Sequence, residues 1–341
     1  MSLMPLPELK ACLARFAGLH VGVIGDFALD AYWTIEPAAA LPSVETGLPT
    51  QPVSEQRYAA GAAGNVVANL VALGCARVAA FGVVGRDPWG AELLRILQEL
   101  GADVGGMARQ ERDWATVVYA KPHVGGREQS RIDFGDFNRI HADTGARLLD
   151  DLEAALPRLD ALVINAQARA GIHDESLRRR LAALIAANPG KACIVDSRDP
   201  AAMVPGCALK INDREAAGCC GIAIPPEGHV AREQTLAAAN QLFARRNRPV
   251  FVTRGSAGMV VCDPTGIAEV PAVPLEGEVD TVGAGDAALA GIAVSRACGL
   301  TPVQAACVGN LAAAVCARKL RQTGTASPAE ILALATEAAG S

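Results

Sequence analysis

The chain has 341 residues, 51% of them hydrophobic and 20% charged, with a formal net charge of −5. That apolar share excludes wholesale disorder and is enough for a full core. The acidic balance argues against a nonspecific nucleic-acid binder, which needs clustered Lys and Arg. No segment reaches the ~18–20 uninterrupted apolar residues that span a bilayer. Met1–Lys10 carries two prolines and lacks the charged-then-apolar order of a secretion signal. The chain is therefore expected in the cytoplasm, with no membrane and no nucleic-acid partner.

Taken in order, His20–Gly25 reads as a compact apolar strand and Gly64–Leu73 as a helix closed by Gly74. Arg77–Val84 is the next strand, and Pro88–Leu100 is a helix opened by proline and closed by Gly101. Asp160–Ile164, Ala192–Val195, Ala208–Ile211 and Pro249–Thr253 read as further buried strands, with helices near 143–155, 173–187 and 230–246 between them. Such alternation predicts parallel strands joined by crossover helices, an open α/β sheet with helices on both faces. Two stretches break the rhythm. Glu36–Tyr58 is rich in proline and turn residues, and Trp114–Phe134 alternates as a β-ribbon with Gly125-Gly126 at its bend. Both are expected to form a small projecting β-lid. Gly285–Lys319 reads as two long Ala-rich helices. With no internal repeat and no linker, the reading is one domain over 1–341, its lid built from about 36–58 and 114–134.

Ten cysteines contain no C-x-x-C pair, and the five histidines are scattered. A tetrahedral metal cage needs paired, closely spaced ligands, so buried reduced thiols acting as small hydrophobes are expected instead.

The sharpest signal is Asp280-Thr281-Val282-Gly283-Ala284-Gly285-Asp286, running straight into a helix at Ala287–Ala297. Small residues before a helix leave backbone N–H groups pointing at one spot, and the helix dipole adds positive charge there. Val282, Gly283, Ala284 and Gly285 thus read as an anion hole. Asp286 either caps the helix or accepts a proton from a hydroxyl that attacks phosphorus. G-x-G-x-x-G after the first strand, G-x-x-x-x-G-K-[ST] and G-x-S-x-G are all missing, which excludes a Rossmann dehydrogenase, a P-loop kinase and a serine hydrolase on motif grounds.

Asp280–Asp286 followed by Ala290-Gly291-Ile292-Ala293 resembles the C-terminal signature of the PfkB, or ribokinase-like, sugar kinases. The resemblance runs over nearly the whole chain in the family's order. Gly25–Asp30 resembles the segment whose final aspartate, here Asp30, holds sugar hydroxyls. Ala60-Gly61-Ala62-Ala63-Gly64-Asn65 resembles the Gly-rich sugar-binding turn and helix, with alanine replacing one glycine of the usual pair. Asn212-Asp213-Arg214-Glu215 resembles the motif that organises magnesium and phosphates. Thr253-Arg254-Gly255 with Gly258 resembles the nucleotide-side turn. Within the family, Gly25-Asp26, Leu29-Asp30, Tyr32-Trp33 and Arg131-x-Asp133-Phe134 look most similar to bacterial heptose-7-phosphate kinases. Two departures stand out: Asn165-Ala166-Gln167 replaces a usual Ser-Asp-Tyr, and Ser43–Val53 departs from a proline-rich loop. The adenylyltransferase domain that some of those kinases carry has no counterpart in these residues.

The resemblance implies a three-layer ribokinase-like fold and phosphotransfer from ATP to a sugar hydroxyl, with Asp286 as base. It implies Mg²⁺ held through water by Asn212 and Glu215, adenine near Asn310–Thr325, and a monovalent cation such as K⁺ near Asp280 and Val282. Asn212 and Glu215 share a helical face and form, on spacing alone, an ordinary capping box. Asp30 and Asn65 suit sugar recognition, or a turn and a cap. Arg254 suits phosphate charge or a solvated strand end. A sugar phosphate or acidic sugar is the expected acceptor, with Arg57, Lys121, Arg127 and Arg131 as lid cations. A neutral sugar such as fructose or ribose, or a nucleoside, is the alternative, and a binding-only protein of kinase fold the third reading. The two-faced ribbon at Trp114–Tyr119, together with the pairing of lids in related kinases, implies a homodimer.

Overall fold

The computed structural model describes residues 4–198, 203–225, 228–320 and 324–340. Among them, the apolar runs that flank the glycine and proline punctuation form a nine-stranded sheet and a separate five-stranded sheet. The large sheet is built from β1 (His20–Gly25), β4 (Arg77–Gly85), β5 (Asp103–Gln110), β9 (Ala161–Ala166), β10 (Ala192–Ser197), β11 (Ala208–Asn212), β12 (Val250–Thr253), β13 (Met259–Asp263) and β14 (Gly266–Val270). Its order is β14-β13-β12-β11-β10-β9-β1-β4-β5. The run from β12 to β5 is parallel, and β13 and β14 close one edge as an antiparallel hairpin.

Helices cover both faces, as the alternation predicts. One face packs against α1 (Leu6–Arg15), α2 (Ala63–Ala72), α3 (Pro88–Glu99), α8 (Ala284–Ala297), α9 (Pro302–Ala317) and α10 (Pro328–Gly340). The other carries α4 (Ala142–Ala155), α5 (Glu175–Ala187), α6 (Asp213–Cys219) and α7 (Arg232–Arg246). Alanine lets α8 and α9 lie close: Gly291 and Gly309 face each other, and a Cβ on Gly309 would lie 2.9 Å from Ile292.

The smaller sheet has the order β3-β2-β6-β7, with β8 also paired to β6. Its strands are β2 (Phe27–Ile35), β3 (Val53–Ala62), β6 (Val117–Val124), β7 (Arg127–Glu128) and β8 (Ile132–Phe134). Its central strand, β2, precedes the stretch expected to open the lid. The run Phe27–Ala31 is buried throughout, so it lacks the alternation that marks a half-exposed strand. Most of 36–52 forms no strand; it holds a 3₁₀ turn at Pro37–Ala39 and an isolated bridge between Pro42 and Pro49.

Candidate active site

The N-terminus of α8 lies at the C-terminal end of the large sheet. Gly283 takes φ of +81° at the N-cap, a conformation that favours glycine. Two N–H groups of the expected hole are already bonded: Val282 donates to Asp280 Oδ1 at 3.0 Å and Ala284 to the Thr281 carbonyl at 3.2 Å. The N–H groups of Gly283, Gly285 and Asp286 have no protein acceptor among the described residues. Of the N–H groups expected to hold an anion, those of Val282 and Ala284 are thus taken, and those of Gly283 and Gly285 are left with the Asp286 N–H.

Asp286 is half-buried in this corner, with the Asn65 side chain from α2 near enough to its carboxylate to favour the charged form. Loss of solvation is the largest influence and pushes its carboxyl up to about 7, with Asp196 adding to the rise and Lys210, Asn65 and Arg198 opposing it. The cap reading fails on geometry, because no side chain caps α8.

Lys210 is the residue that motif reading missed. Asn165, Asp196 and Lys210 are cross-strand neighbours in β9, β10 and β11, beside Gly25 of β1. Alternation turns all three to the face that carries α8, since Val163, Ile194 and Ala208 on the same phase pack there. Lys210 donates to Asp196 Oδ2 at 2.7 Å, with both side chains less than a tenth exposed. Its ammonium reaches the α8 end because Gly285 has no side chain; a Cβ there would lie 3.2 Å from Nζ. Burial works against the Lys210 charge, but Asp196, Asp286 and Glu215 outweigh it and the net shift is upward. Asn165 is fully buried, and both polar atoms of its amide lack a protein partner. A lysine and an asparagine at the ends of apolar strand runs were the available signal.

On the lid side, Asp30 of β2 is buried and forms an ion pair with Lys121 Nζ at 3.0 Å. Burial raises the Asp30 carboxyl despite that partner. Gly61 lies against it, where a Cβ would stand 3.1 Å from the carboxyl carbon. Arg57 and Lys121 both lie over the Tyr32 ring, 4.2 and 4.9 Å from its centre. Arg131 makes a bidentate pair with Asp133, both bonds 2.6 Å, and stacks on Tyr119. Arg127 sits at the exposed β7 tip. The expected lid cations are thus largely occupied by lid partners.

On the opposite side, Asn212 and Glu215 make the capping box of α6: Glu215 N–H donates to Asn212 Oδ1 at 2.8 Å, and Asn212 N–H to Glu215 Oε2 at 3.2 Å. Burial, reinforced by Asp196, raises the Glu215 carboxyl, while the Asn212 N–H bond, Lys210 and Arg198 oppose the rise. Thr253 Oγ1 donates to the Ile211 carbonyl, and Arg254, rather than being solvated, pairs with Glu269 at 3.2 Å. Gly255 and Gly258, both at positive φ, close the turn after β12. Asn310 lines a cleft of about 880 Å³ between 270–278, α9 and α10, but its Nδ2 donates to the Val270 and Pro271 carbonyls. Arg321–Thr323 of the expected adenine span lie outside the described residues.

A raised carboxyl, N–H groups without a protein acceptor and a cleft thus lie at one end of a parallel sheet. The model of the pfkB family of carbohydrate kinases matches residues 29–330. The protein belongs to that family. This kinase is 31% identical over 315 residues to the "Bifunctional protein HldE" of Mesorhizobium japonicum, covering 91% of this chain and 61% of that protein. It is 34% identical over 332 residues to the protein of the same name from Caulobacter vibrioides, covering 95% and 65%. The kinase thus spans under two thirds of the length of these relatives. Its fold matches Arabidopsis thaliana ribokinase complexed with ribose and ATP, with TM-score 0.71, 20% identity and coverage of 93% and 98%. Phosphofructokinase-2 from Escherichia coli in complex with fructose-6-phosphate gives TM-score 0.71, 18% identity and coverage of 94% and 99%. The fold is ribokinase-like, and no helix among the described residues is long and apolar enough to cross a membrane.

Proposed function

We propose that this kinase transfers the γ-phosphoryl group of ATP to a hydroxyl of a sugar phosphate, with heptose 7-phosphate the first acceptor to test. One observation carries the chemistry: a carboxylate raised to about 7 shares a helix end with N–H groups that no protein atom accepts. A base whose pKa lies near the working pH is well matched to proton transfer. The acceptor hydroxyl donates to Asp286, which takes its proton as the new O–P bond forms and the bond to ADP breaks. Gly283, Gly285 and Asp286 N–H groups and the Lys210 ammonium face the charge on the transferring phosphoryl oxygens, a contribution typically worth ~10²–10³ in rate for one donor.

Glu215 and Asn212 would hold hydrated Mg²⁺, because a carboxylate and an amide oxygen at one helix end are the hard oxygen groups that hold the waters of such an ion. When bound, the ion neutralises phosphate charge. Asp30, Gly61 and Asn65 border the acceptor, while Asn310, Thr253, Arg254 and Gly255 border the nucleotide. A K⁺ site at Asp280 belongs to the same proposal. Leu41, Val44, Leu48 and Phe137 expose apolar surface around the lid, which supports pairing of two copies there in the cytoplasm. The paired state of Lys121 and Arg131 favours one second reading, a neutral-sugar kinase.

The deciding experiment is a coupled ADP-release screen over sugars, sugar phosphates and nucleosides. The reading predicts the highest kcat/KM for a sugar phosphate; a neutral sugar on top would select the second reading, and no turnover with any would overturn both.

A further inference from the structure

We propose that the phosphate ester of the acceptor docks in a second cavity, beside Asp26, at a subsite formed by Arg139, Arg169 and Arg198. The inference rests on the kinase reading above and goes beyond the lid residues that sequence comparison points to.

The cavity, about 760 Å³, opens where β1, β9 and β10 end. That volume is in the range of small-molecule sites and exceeds what a phosphate alone would fill. Arg139, Arg169 and Arg198 line it, and none of the three guanidinium groups makes an ion pair or hydrogen bond among the described residues. This contrasts with the lid, where Lys121 and Arg131 are both paired. Two carboxylates also reach the wall, but backbone groups engage both. Asp26 Oδ2 accepts N–H bonds from Gln167 and Ala168 at 2.9 Å and its Oδ1 accepts from Ile172 at 2.8 Å. Asp174 Oδ1 accepts from Leu177 at 2.7 Å, capping α5. Three arginines against two carboxylates leave the lining with a formal charge of +1.

The loop that carries Arg169 is held in place. Three of its N–H groups bind the one Asp26 carboxylate, and Gly171 packs so tightly that a Cβ would fall 2.1 Å from Asp26 Oδ1. His173 adds a polar group: its Nε2 lies 3.3 Å from the Asn165 carbonyl, which leaves Nδ1 buried and without a protein partner. Protonation would make Nδ1 a donor to an anion. Arg198 ties the cavity to the chemistry, because its charge acts on Asp286 on one side and on Tyr119 of the lid on the other. An acceptor can therefore present its hydroxyl to Asp286 and its phosphate to arginines that bind it bidentately.

The test is calorimetric binding without ATP, using heptose 7-phosphate and fructose 6-phosphate against fructose and ribose, on wild type and on Arg139→Ala/Arg169→Ala. Charge-assisted bonds of this kind predict at least ~10-fold weaker binding of the phosphate esters per arginine removed. Neutral sugars and ATP should bind the variant within about twofold of wild type, and a Tm within a few degrees of wild type confirms a folded variant. Unchanged binding of the esters, or equal loss for esters and neutral sugars, would overturn the subsite. Loss of ATP affinity alone would also overturn it, giving the cavity to the nucleotide phosphates. Because this assay needs no turnover, it judges the cavity even if the ADP-release screen overturns the kinase reading.

Discussion

The end of α8 and the lid both gather charged groups, but they hold them differently. Under α8, Lys210 and Asp196 are buried in the sheet register, a place where removing one partner typically costs 3–5 kcal/mol. In the lid, Arg131 and Asp133 pair on a half-exposed surface, where such pairs are worth about 0–1 kcal/mol. The contrast is between a pair fixed by burial and one held at the surface, and the lid has a buried pair of its own in Asp30 and Lys121.

The largest expected effect tests the buried side. Asp286→Asn should lower kcat by at least ~10²-fold, the magnitude of a general base. The same change should raise Tm at pH 8. A carboxyl whose native pKa is about 7 costs stability as pH climbs from the unfolded value, 3.8, to 7, because the native state then holds a proton the unfolded state has lost. The gain in Tm should therefore grow across that window and vanish below it. A variant within a few-fold of wild-type turnover would return Asp286 to a structural role.

Lys210→Met should follow, destabilising by about 3–5 kcal/mol because Asp196 is left buried and unpaired. Lys210→Met/Asp196→Asn should recover much of that in a denaturant titration. In Lys210→Met the Asp286 carboxyl loses the cation that lowers it, so any remaining activity should begin at higher pH than in wild type, and the double variant, which also loses the Asp196 charge, should shift less. If Lys210→Met were as stable as wild type, the contrast between the two regions would collapse.

Two smaller effects sharpen the lid side. Ala62 stands at φ +51° and ψ −122° before α2, a conformation L-residues avoid. Ala62→Gly should stabilise the chain by about 1 kcal/mol, as relief of strain outweighs the flexibility gained by the unfolded chain. Arg131→Ala should change stability by no more than ~1 kcal/mol by urea unfolding. A much larger loss would place the lid pair on the buried side of the comparison.

The sheet and its order of helices were legible because parallel strands buried on both faces read as continuous apolar runs between glycine and proline breaks. His20–Gly25 and Ala192–Val195 needed nothing else. β5 was missed because Gly105 and Gly106 dilute its pattern, and β2 because burial of Phe27–Ala31 hides its alternation. The α8 motif placed Asp286, since local spacing fixes a helix end. Lys210, Asp196, Asn165 and Arg198 were not legible as a group, because only cross-strand register brings residues 165, 196 and 210 together. The same holds for Arg139 and Arg169, whose shared cavity depends on tertiary packing.

The most direct test of the central claim is the pH dependence of kcat/KM for the best acceptor, at saturating ATP and Mg²⁺, between pH 5 and 9. Such a profile reports the ionisation of the enzyme form that captures the acceptor. With Asp286 as a base near 7, the rate should climb roughly tenfold per pH unit below that value and level off above it. A profile that is flat across pH 5–9, or that falls as pH rises through 7, would contradict the assignment of Asp286 as the base.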